Sequence, residues 1–300
     1  MTAVAKGPVR VRHKRRPRAG RRGAWLLTAP AVVVMLAVSG YPVLYGVWLS
    51  LQRYDLRVPS QRGFVGLTNY ATVLSAPVFW ADLAATAVIT VVAVGLELAA
   101  GLGIALILRR GLAGRRALRA ALLLPYGIIT VVAAFAWRYL ATPDLSFLTR
   151  RAWLGERWSS FAVVIATEVW TSTPFVALLL LAALAVVPEE LMAAAKLDGA
   201  SGWQRFGRVL LPAIRPVLLV VLLYRTLDTV RVFDTVFIQT NGANGTQTVS
   251  LLAYRQLSGQ LNLGLGSAVS TLLFVLAAAI AVGFVWVFRA DLRELSRGAP

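Results

Sequence analysis

The residue types that carry most enzyme chemistry are scarce in this chain of 300 residues. It has no cysteine and a single histidine, His13, in an arginine-rich N-terminal stretch. Thiolate chemistry and iron–sulfur clusters are therefore excluded, and zinc sites and histidine-dependent catalysis have almost no ligands to use. No lysine precedes Ser or Thr in a phosphate-binding loop, and carboxylates such as Asp55 and Asp144 are scattered. We expect a protein that is not an enzyme and holds no metal or cofactor.

Four ionisable residues of alternating sign follow one another at steps of three in an apolar stretch: Arg225, Asp228, Arg231 and Asp234. Residues three apart are neighbours on a helix. Ionisable groups are costly in lipid and normally face a bundle interior or an aqueous cavity. The spacing predicts an inward-facing charge network on one membrane helix, which serves either substrate contact or packing alone. Glu97, in another apolar stretch, is expected to be an ion-pair or hydrogen-bond partner within the protein.

The elements that must position these charges are membrane spans. Hydrophobic residues make up 58% of the chain, against about 45–50% in soluble domains. Six stretches have the roughly 20 apolar residues that a membrane helix needs: 24–50, 84–108, 117–140, 161–187, 213–237 and 267–288. The sequence predicts an all-α membrane protein with six transmembrane helices. A cleaved signal peptide is the alternative for the first stretch, which is longer than such a segment requires.

The net charge of +18 could indicate nucleic-acid binding, but the placement of the basic residues argues for membrane topology. Twenty-one Lys and Arg lie at the two ends and in alternate connections, against seven in the other connections. Basic loops stay cytoplasmic, so both termini are expected there. We expect residues 1–23 to be a disordered arm near anionic lipid, 24–290 the six-span domain, and 291–300 a cytoplasmic tail.

The connection before the fifth span predicts two short helices. Pro188 and the two glutamates after it favour a helix start. Gly199 suits a helix end, and Ser201 a second start towards Leu211-Pro212. We call residues 188–211 the elbow. It either joins two spans at the membrane surface or docks into another protein.

The elbow also carries a long pattern: Pro188-Glu189-Glu190-Leu191, Ala194-Ala195, Asp198-Gly199-Ala200, Trp203, Phe206 and Leu211-Pro212. This pattern resembles the EAA loop of permease subunits of binding-protein-dependent ABC importers for sugars. Ala193 replaces the glutamate that names the motif, so any contact of that side chain with an ATPase is absent. The resemblance covers about residues 24–290 and is to the MalF-type half of the permease pair. It is strongest to trehalose permeases of mycobacteria, through residues 124–132 and 225–228.

The resemblance implies an ABC importer type I permease fold and ATP-driven import of a carbohydrate, such as the disaccharide trehalose, across the cell (inner) membrane. It also implies partners: a second, MalG-type permease, a cytoplasmic ABC ATPase dimer that hydrolyses ATP, and an extracytoplasmic sugar-binding protein. The ATPase-coupling residues that it indicates are Glu190, Ala194, Ala195, Asp198, Gly199 and Ala200. The substrate-pathway residues that it indicates are Glu168, Ser172, Phe175, Asp234 and Phe237.

A self-sufficient secondary transporter or channel is the alternative function, because intramembrane charges would serve it equally well. The long elbow pattern would then have no role. Glycine pairs at 101 and 103 and at 264 and 266 superficially suggest a dinucleotide-binding loop. Neither pair follows a strand and opens a helix, so close helix packing is the better interpretation.

Overall fold

A computed structural model describes residues 21–109, 115–143 and 152–297. Most of the predicted N-terminal arm and the last three residues of the predicted tail lie outside the described residues. The chain divides into two compact units, residues 1–45 and 46–300. The described part is almost entirely helical, as the sequence predicts.

The helices follow one another in chain order: α1 (Arg21–Met35), α2 (Tyr41–Ser50), α3 (Thr68–Ser75), α4 (Pro77–Arg109), α5 (Arg115–Gly127), α6 (Thr130–Ala141), α7 (Arg157–Val186), α8 (Glu189–Leu197), α9 (Gly202–Arg205), α10 (Leu211–Thr229), α11 (Asp234–Gln239), α12 (Val249–Tyr254) and α13 (Leu263–Arg297). Two short strands, β1 (Gln52–Arg53) and β2 (Gly63–Phe64), pair antiparallel.

The described part of the first unit is one apolar helical rod. A π-helical turn, Leu36–Gly40, joins α1 to α2 without a break. Every described side chain from Thr28 to Tyr45 is exposed, apart from the half-buried Gly40. The rings of Tyr41 and Tyr45 stack with centroids 6.0 Å apart. Such a surface must be covered by lipid or by protein outside this unit.

Apolar helices occur at all six predicted places. Among the described residues, five are long and apolar enough to cross a membrane, and a bent pair of helices at the third place is either a broken sixth span or a re-entrant segment. Four predicted spans match α1–α2, α4, α7 and α13 to within a few residues at most ends. The third and fifth predicted spans need correction.

The third span, predicted as continuous over 117–140, is broken. Helix α5 ends at Gly127, α6 begins at Thr130, and the two axes bend by 93°. Pro125 lies inside the last turn of α5 and Gly127 ends it. Proline cannot donate a backbone hydrogen bond and glycine weakens a helix, so a Pro-Tyr-Gly sequence favours a break here.

The fifth span, predicted over 213–237, ends earlier than expected. Helix α10 stops at Thr229, and a separate short helix, α11, begins at Asp234. The predicted span therefore combined one membrane helix with part of a second element, which lies against α6 and α7. Hydropathy alone does not separate α10 from the start of α11, because the two segments form one apolar stretch of sequence.

The core of the second unit forms around the pair α4 and α7. Buried residues from both helices and from α10 make one cluster, including Ala105, Leu180 and Ile214. Gly101 allows the close approach, because a Cβ there would lie 2.6 Å from a methyl carbon of Val176. The packing prediction is thus confirmed for Gly101. It is wrong for Gly103, whose Cβ position has no atom within 4 Å.

The second glycine pair also packs closely, but not against helices alone. A Cβ at Gly264 would collide with the carbonyl oxygen of Gln52, and one at Gly266 with the side chain of Leu257. The start of α13 is thereby held against the β hairpin. Beside the hairpin, Arg57 donates to Asp55 at 2.9 and 2.6 Å and lowers the pKa of that carboxyl to about 2.

Candidate functional site

The elbow has the helix boundaries that its sequence predicts. Helix α8 begins at Glu189 directly after Pro188, and both glutamates lie in its first turn, where the helix dipole favours negative charge. Lys196 lies in the last turn, which favours positive charge. The chain then turns at Gly199, whose φ is +78°.

Hydrogen bonds on both sides close the turn at Gly199. The amide of Ala200 donates to the carbonyl of Ala195 at 3.0 Å, so it satisfies an oxygen at the helix end. Ser201 and Gln204 form a reciprocal capping box that starts the next helix. Because the left-handed φ suits glycine and strains most other residues, the tight turn depends on Gly199.

The second helix of the elbow is the beginning of the fifth span. Helix α9 passes through a π-helical turn, Phe206–Leu210, directly into α10. Gly202–Thr229 is thus one helical element of 28 residues, about 42 Å long at about 1.5 Å per residue. From Gly202 in the elbow to Thr229, the chain therefore runs without a loop.

The elbow presents apolar side chains to its surroundings. Leu197 is 89% exposed, Trp203 is 83% exposed and Leu191 is 51% exposed. No residue of α8 is buried. The predicted coupling residues Glu190, Ala194, Asp198 and Gly199 are exposed, and Ala195 and Ala200 are half-buried. This combination is typical of a surface that another protein covers.

Near the other end of the same helix lies a buried ion pair. Arg225 donates to both carboxylate oxygens of Glu97, at 2.7 and 2.9 Å, and to Asp228 at 2.5 Å. Glu97 is fully buried and Arg225 is 4% exposed, whereas the Asp228 side chain is half-exposed. The expectation that Glu97 is an internal ion-pair partner is confirmed.

The predicted four-residue charge network is only half present. Arg231 and Asp234 lie beyond the end of α10, and within the described ranges neither forms a salt bridge. Arg231 donates instead to the carbonyl of Leu227 at 3.0 Å. The expectation that one continuous helix carries all four charges was wrong. Because α10 ends at Thr229, Arg231 and Asp234 do not continue the row of Arg225 and Asp228 on one helix face.

Asp234 belongs to a second polar group, at the break of the third span. Its carboxylate accepts a hydrogen bond from Thr130 at 2.9 Å, and Thr130 is the first residue of α6. The next residue, Thr235, donates to Glu168 of α7 at 2.5 Å. The structure thus gives two of the predicted pathway residues, Asp234 and Glu168, a threonine partner each, and sequence reasoning did not select either threonine.

Short helix α11 is fixed to its neighbours at its other end too. Arg138 of α6 donates to the carbonyl of Ile238 at 2.7 Å. Gln239 donates to the hydroxyl of Thr167 in α7 at 2.7 Å. Helix α11 is therefore held by α6 and α7, and the connection at residues 230–233 links this held segment to the end of α10.

Aromatic rings form two groups near the breaks. Phe175 stacks on Tyr126 at a centroid distance of 5.1 Å and contacts Tyr224 at 5.4 Å. Phe237 stacks on Phe233 at 5.2 Å and contacts Tyr254 at 5.3 Å. Of the predicted residues, Phe175 is the centre of the first group, and Phe237 is one of three rings that all contact one another in the second.

The three tyrosines beside these rings are between 41% and 49% exposed. Half-exposed rings next to hydroxyls and carboxylates can bind a ligand that has both apolar and polar faces. Sequence reasoning did not select them, although the Pro-Tyr-Gly break at 125–127 marks the position of Tyr126. Ser172 is buried on α7, one turn after Glu168, and contributes no contact that identifies a ligand.

Comparison with known proteins identifies the family. Residues 70–293 match the family described as the binding-protein-dependent transport system inner membrane component. The trehalose transport system permease protein SugA of Mycobacterium tuberculosis is 47% identical, over 91% of this chain and 90% of that protein. The trehalose/maltose transport system permease protein MalF of Thermococcus litoralis is 39% identical, over 89% and 94% of the two chains.

The fold is also found among solved structures. A chain of a bacterial alginate ABC transporter, in complex with an alginate-bound periplasmic protein, matches with a TM-score of 0.77. The match covers 90% of this chain and 96% of that chain, at 19% sequence identity. At this identity the likeness establishes the shared arrangement of helices and nothing about substrate.

Proposed function

The chain belongs to the family of binding-protein-dependent transport system inner membrane components, and we propose that it passes a disaccharide of the trehalose class through a shared membrane pathway. It is a multi-pass membrane protein with the ABC importer type I permease fold and is a permease subunit of a carbohydrate importer. The choice of a trehalose-like sugar is supported by two relatives named for trehalose transport.

The observation that carries the proposed mechanism is the continuity of the elbow with the fifth span. An ATPase that grips α8 moves a surface joined through the turn at Gly199 to one long helix, Gly202–Thr229. That helix carries Arg225 and ends at the connection beside α11, which α6 and α7 hold. Movement of α10 relative to α11 therefore changes the space between the two aromatic groups.

The sugar path runs, in this proposal, past those aromatic groups. Ring faces such as Phe175 and Phe237 would pack against the apolar faces of a sugar, and Glu168, Asp234 and Ser172 would meet its hydroxyls. Both carboxylates are already hydrogen-bonded to threonine hydroxyls. Passage of the sugar would exchange these internal bonds for bonds to the substrate, which keeps binding weak enough for release.

The proposed assembly has four kinds of protein chain. A MalG-type permease completes the pathway, a pair of ABC ATPases binds the elbows and hydrolyses ATP, and an extracytoplasmic protein delivers the sugar. The elbow and both termini are cytoplasmic in this arrangement, which agrees with the excess of basic residues on that side. A self-sufficient transporter would leave the exposed elbow without a function.

Reconstitution tests this function. The chain is co-expressed and co-purified with a MalG-type permease, an ABC ATPase and a sugar-binding protein from the same organism, and ATP hydrolysis in vesicles is measured with trehalose, maltose and a monosaccharide. We expect stimulation by trehalose above the other sugars. Stimulation by none of the sugars would contradict carbohydrate import, and equal stimulation by all would contradict the trehalose assignment only.

A further inference from the structure

A groove of about 850 Å³ lies between the elbow and the second span. One wall is a stripe on α4 made by Ala99, Leu102, Gly103, Leu106 and Arg109, and the other is made by Met192, Gly202, Trp203, Arg205, Phe206 and Leu210. The spacing of the α4 stripe puts its members on one face of the helix. Gly103 has no atom within 4 Å of its Cβ position, so the groove stays open there.

The groove is apolar along its length and positively charged at its mouth. Its charged lining residues are Arg109 and Arg205, and no acidic residue lines the part of it that the structure describes. The Nε atom of Arg205 is buried and has no hydrogen-bond partner among the described residues. A guanidinium whose donors are incompletely paired is costly, so an anionic acceptor beside the Arg205 side chain would stabilise it.

The position of the mouth fixes the kind of anion. Arg109 is the last residue of the second span, α4, and Arg205 lies in the first turn of the fifth span, Gly202–Thr229. Both arginines are therefore expected at the membrane surface. From Ala99 to Arg109 the groove follows α4 for about 15 Å, at about 1.5 Å per residue. An apolar channel of this length, along a span and ending at two arginines, has the form of a phospholipid.

We propose that this groove binds one anionic phospholipid, with its phosphate between Arg109 and Arg205 and an acyl chain along the α4 stripe. A free phosphate would leave the apolar length empty, and a neutral lipid would leave the net charge of the two arginines unbalanced. The bound lipid would contact α4 and also Met192 and Trp203 of the elbow. It would therefore link the second span to the element that moves in the proposed function, although its binding does not depend on which sugar is carried.

The test measures lipids kept by the purified, assembled importer. The complex is incubated with phosphatidylglycerol or phosphatidylcholine, and bound lipid is counted by native mass spectrometry. We expect phosphatidylglycerol to be retained and Arg205→Gln to weaken its binding about fivefold, since each basic residue at a membrane surface contributes about 1 kcal/mol. Arg109→Gln with Arg205→Gln should weaken it about 25-fold, if the two contributions add. Arg208→Gln is the matched control, because Arg208 is exposed and does not line the groove.

A second variant tests the acyl-chain part without changing charge. Gly103→Leu should reduce retention of phosphatidylglycerol by filling the groove, and excess inorganic phosphate should not displace the lipid. Equal retention of phosphatidylglycerol in the wild type and in all three groove variants would overturn the proposal. An equal loss of lipid in Arg208→Gln would also overturn it, because diffuse positive charge would then explain binding. Displacement of the lipid by phosphate would indicate an ion site. Absence of bound lipid in the importer with its ATPases attached would indicate that a protein occupies the groove.

Discussion

At the scale of single residues, the ion pair of Arg225 with Glu97 joins two apolar helices, α10 and α4. Two hydrogen bonds join the side chains, and both are buried. Removing one partner leaves the other as an unpaired buried charge, which costs more than the pair itself contributes. The half-exposed Asp228 can be replaced with less effect because it remains near the surface of the chain.

Glu97→Gln should therefore lower the free energy of unfolding by about 3–5 kcal/mol. Asp228→Asn should lower it by no more than about 1 kcal/mol, as for other exposed ion pairs. Thermal unfolding in detergent measures both. The double variant Glu97→Leu with Arg225→Met should recover most of the loss. A Glu97→Gln protein as stable as the Asp228→Asn protein would contradict the assignment of Glu97 as the main partner.

The turn at Gly199 gives a second prediction at this scale. Gly199→Val places a β-branched residue at a φ of +78°, which costs about 1–3 kcal/mol of backbone strain. Uptake of the sugar should be lost while membrane insertion continues. Gly199→Asn is the matched control, because asparagine tolerates the left-handed region and no atom lies within 4 Å of the Cβ position. Normal uptake with valine would show that coupling does not need this turn.

At the scale of elements, Tyr126 lies near the end of α5, just before the break of the third span, and stacks on Phe175 of α7. Tyr126→Ala should raise the trehalose concentration that half-saturates stimulated ATP hydrolysis by about two- to tenfold, since an aromatic contact contributes about 0.5–1.5 kcal/mol. Tyr126→Phe keeps the stacking ring, so it should change the half-saturating trehalose concentration little. If both variants behave alike, the ring does not contact the sugar.

Close packing of α4 on α7 gives another prediction for elements. Gly101→Ala forces a methyl group against Val176 and should destabilise the protein by about 1–3 kcal/mol. Gly95→Ala, on the same helix with no atom within 4 Å of its Cβ position, should be neutral or slightly stabilising. Thermal unfolding of the two variants distinguishes a specific contact from a general effect of replacing glycine.

At the scale of the whole molecule, the described residues expose large apolar surfaces. The last span, Leu263–Phe288, is buried near its start, at residues such as Ala268 and Val269, but its most apolar 18 residues include no buried one. In the span Thr28–Ser50, 6% of the most apolar 18 residues are buried. Lipid can cover part of these surfaces, and the proposed second permease covers the rest. We expect the purified chain alone to carry no trehalose across vesicle membranes, with or without ATP. Transport by the chain alone would remove the need for partners and restore the self-sufficient alternative.

The sequence by itself determined the features that depend on neighbours along the chain. Apolar length places six spans, and the residues around Pro188, Gly199 and Ser201 set the elbow boundaries through local capping and turn geometry. These signals act within a few residues, so they can be detected before the tertiary structure is known. The long elbow pattern likewise identified the family.

Only the tertiary structure decided which distant residues meet. Arg225 pairs with Glu97, 128 positions away, as well as with its neighbour Asp228, whereas Asp234 bonds to Thr130 instead of continuing the series. The breaks after Gly127 and Thr229 bring Thr130 to Asp234, and the groove forms where α4 passes the elbow. Contacts of this kind depend on how apolar helices pack against each other, and a pattern of hydropathy along one helix does not specify which faces will come together.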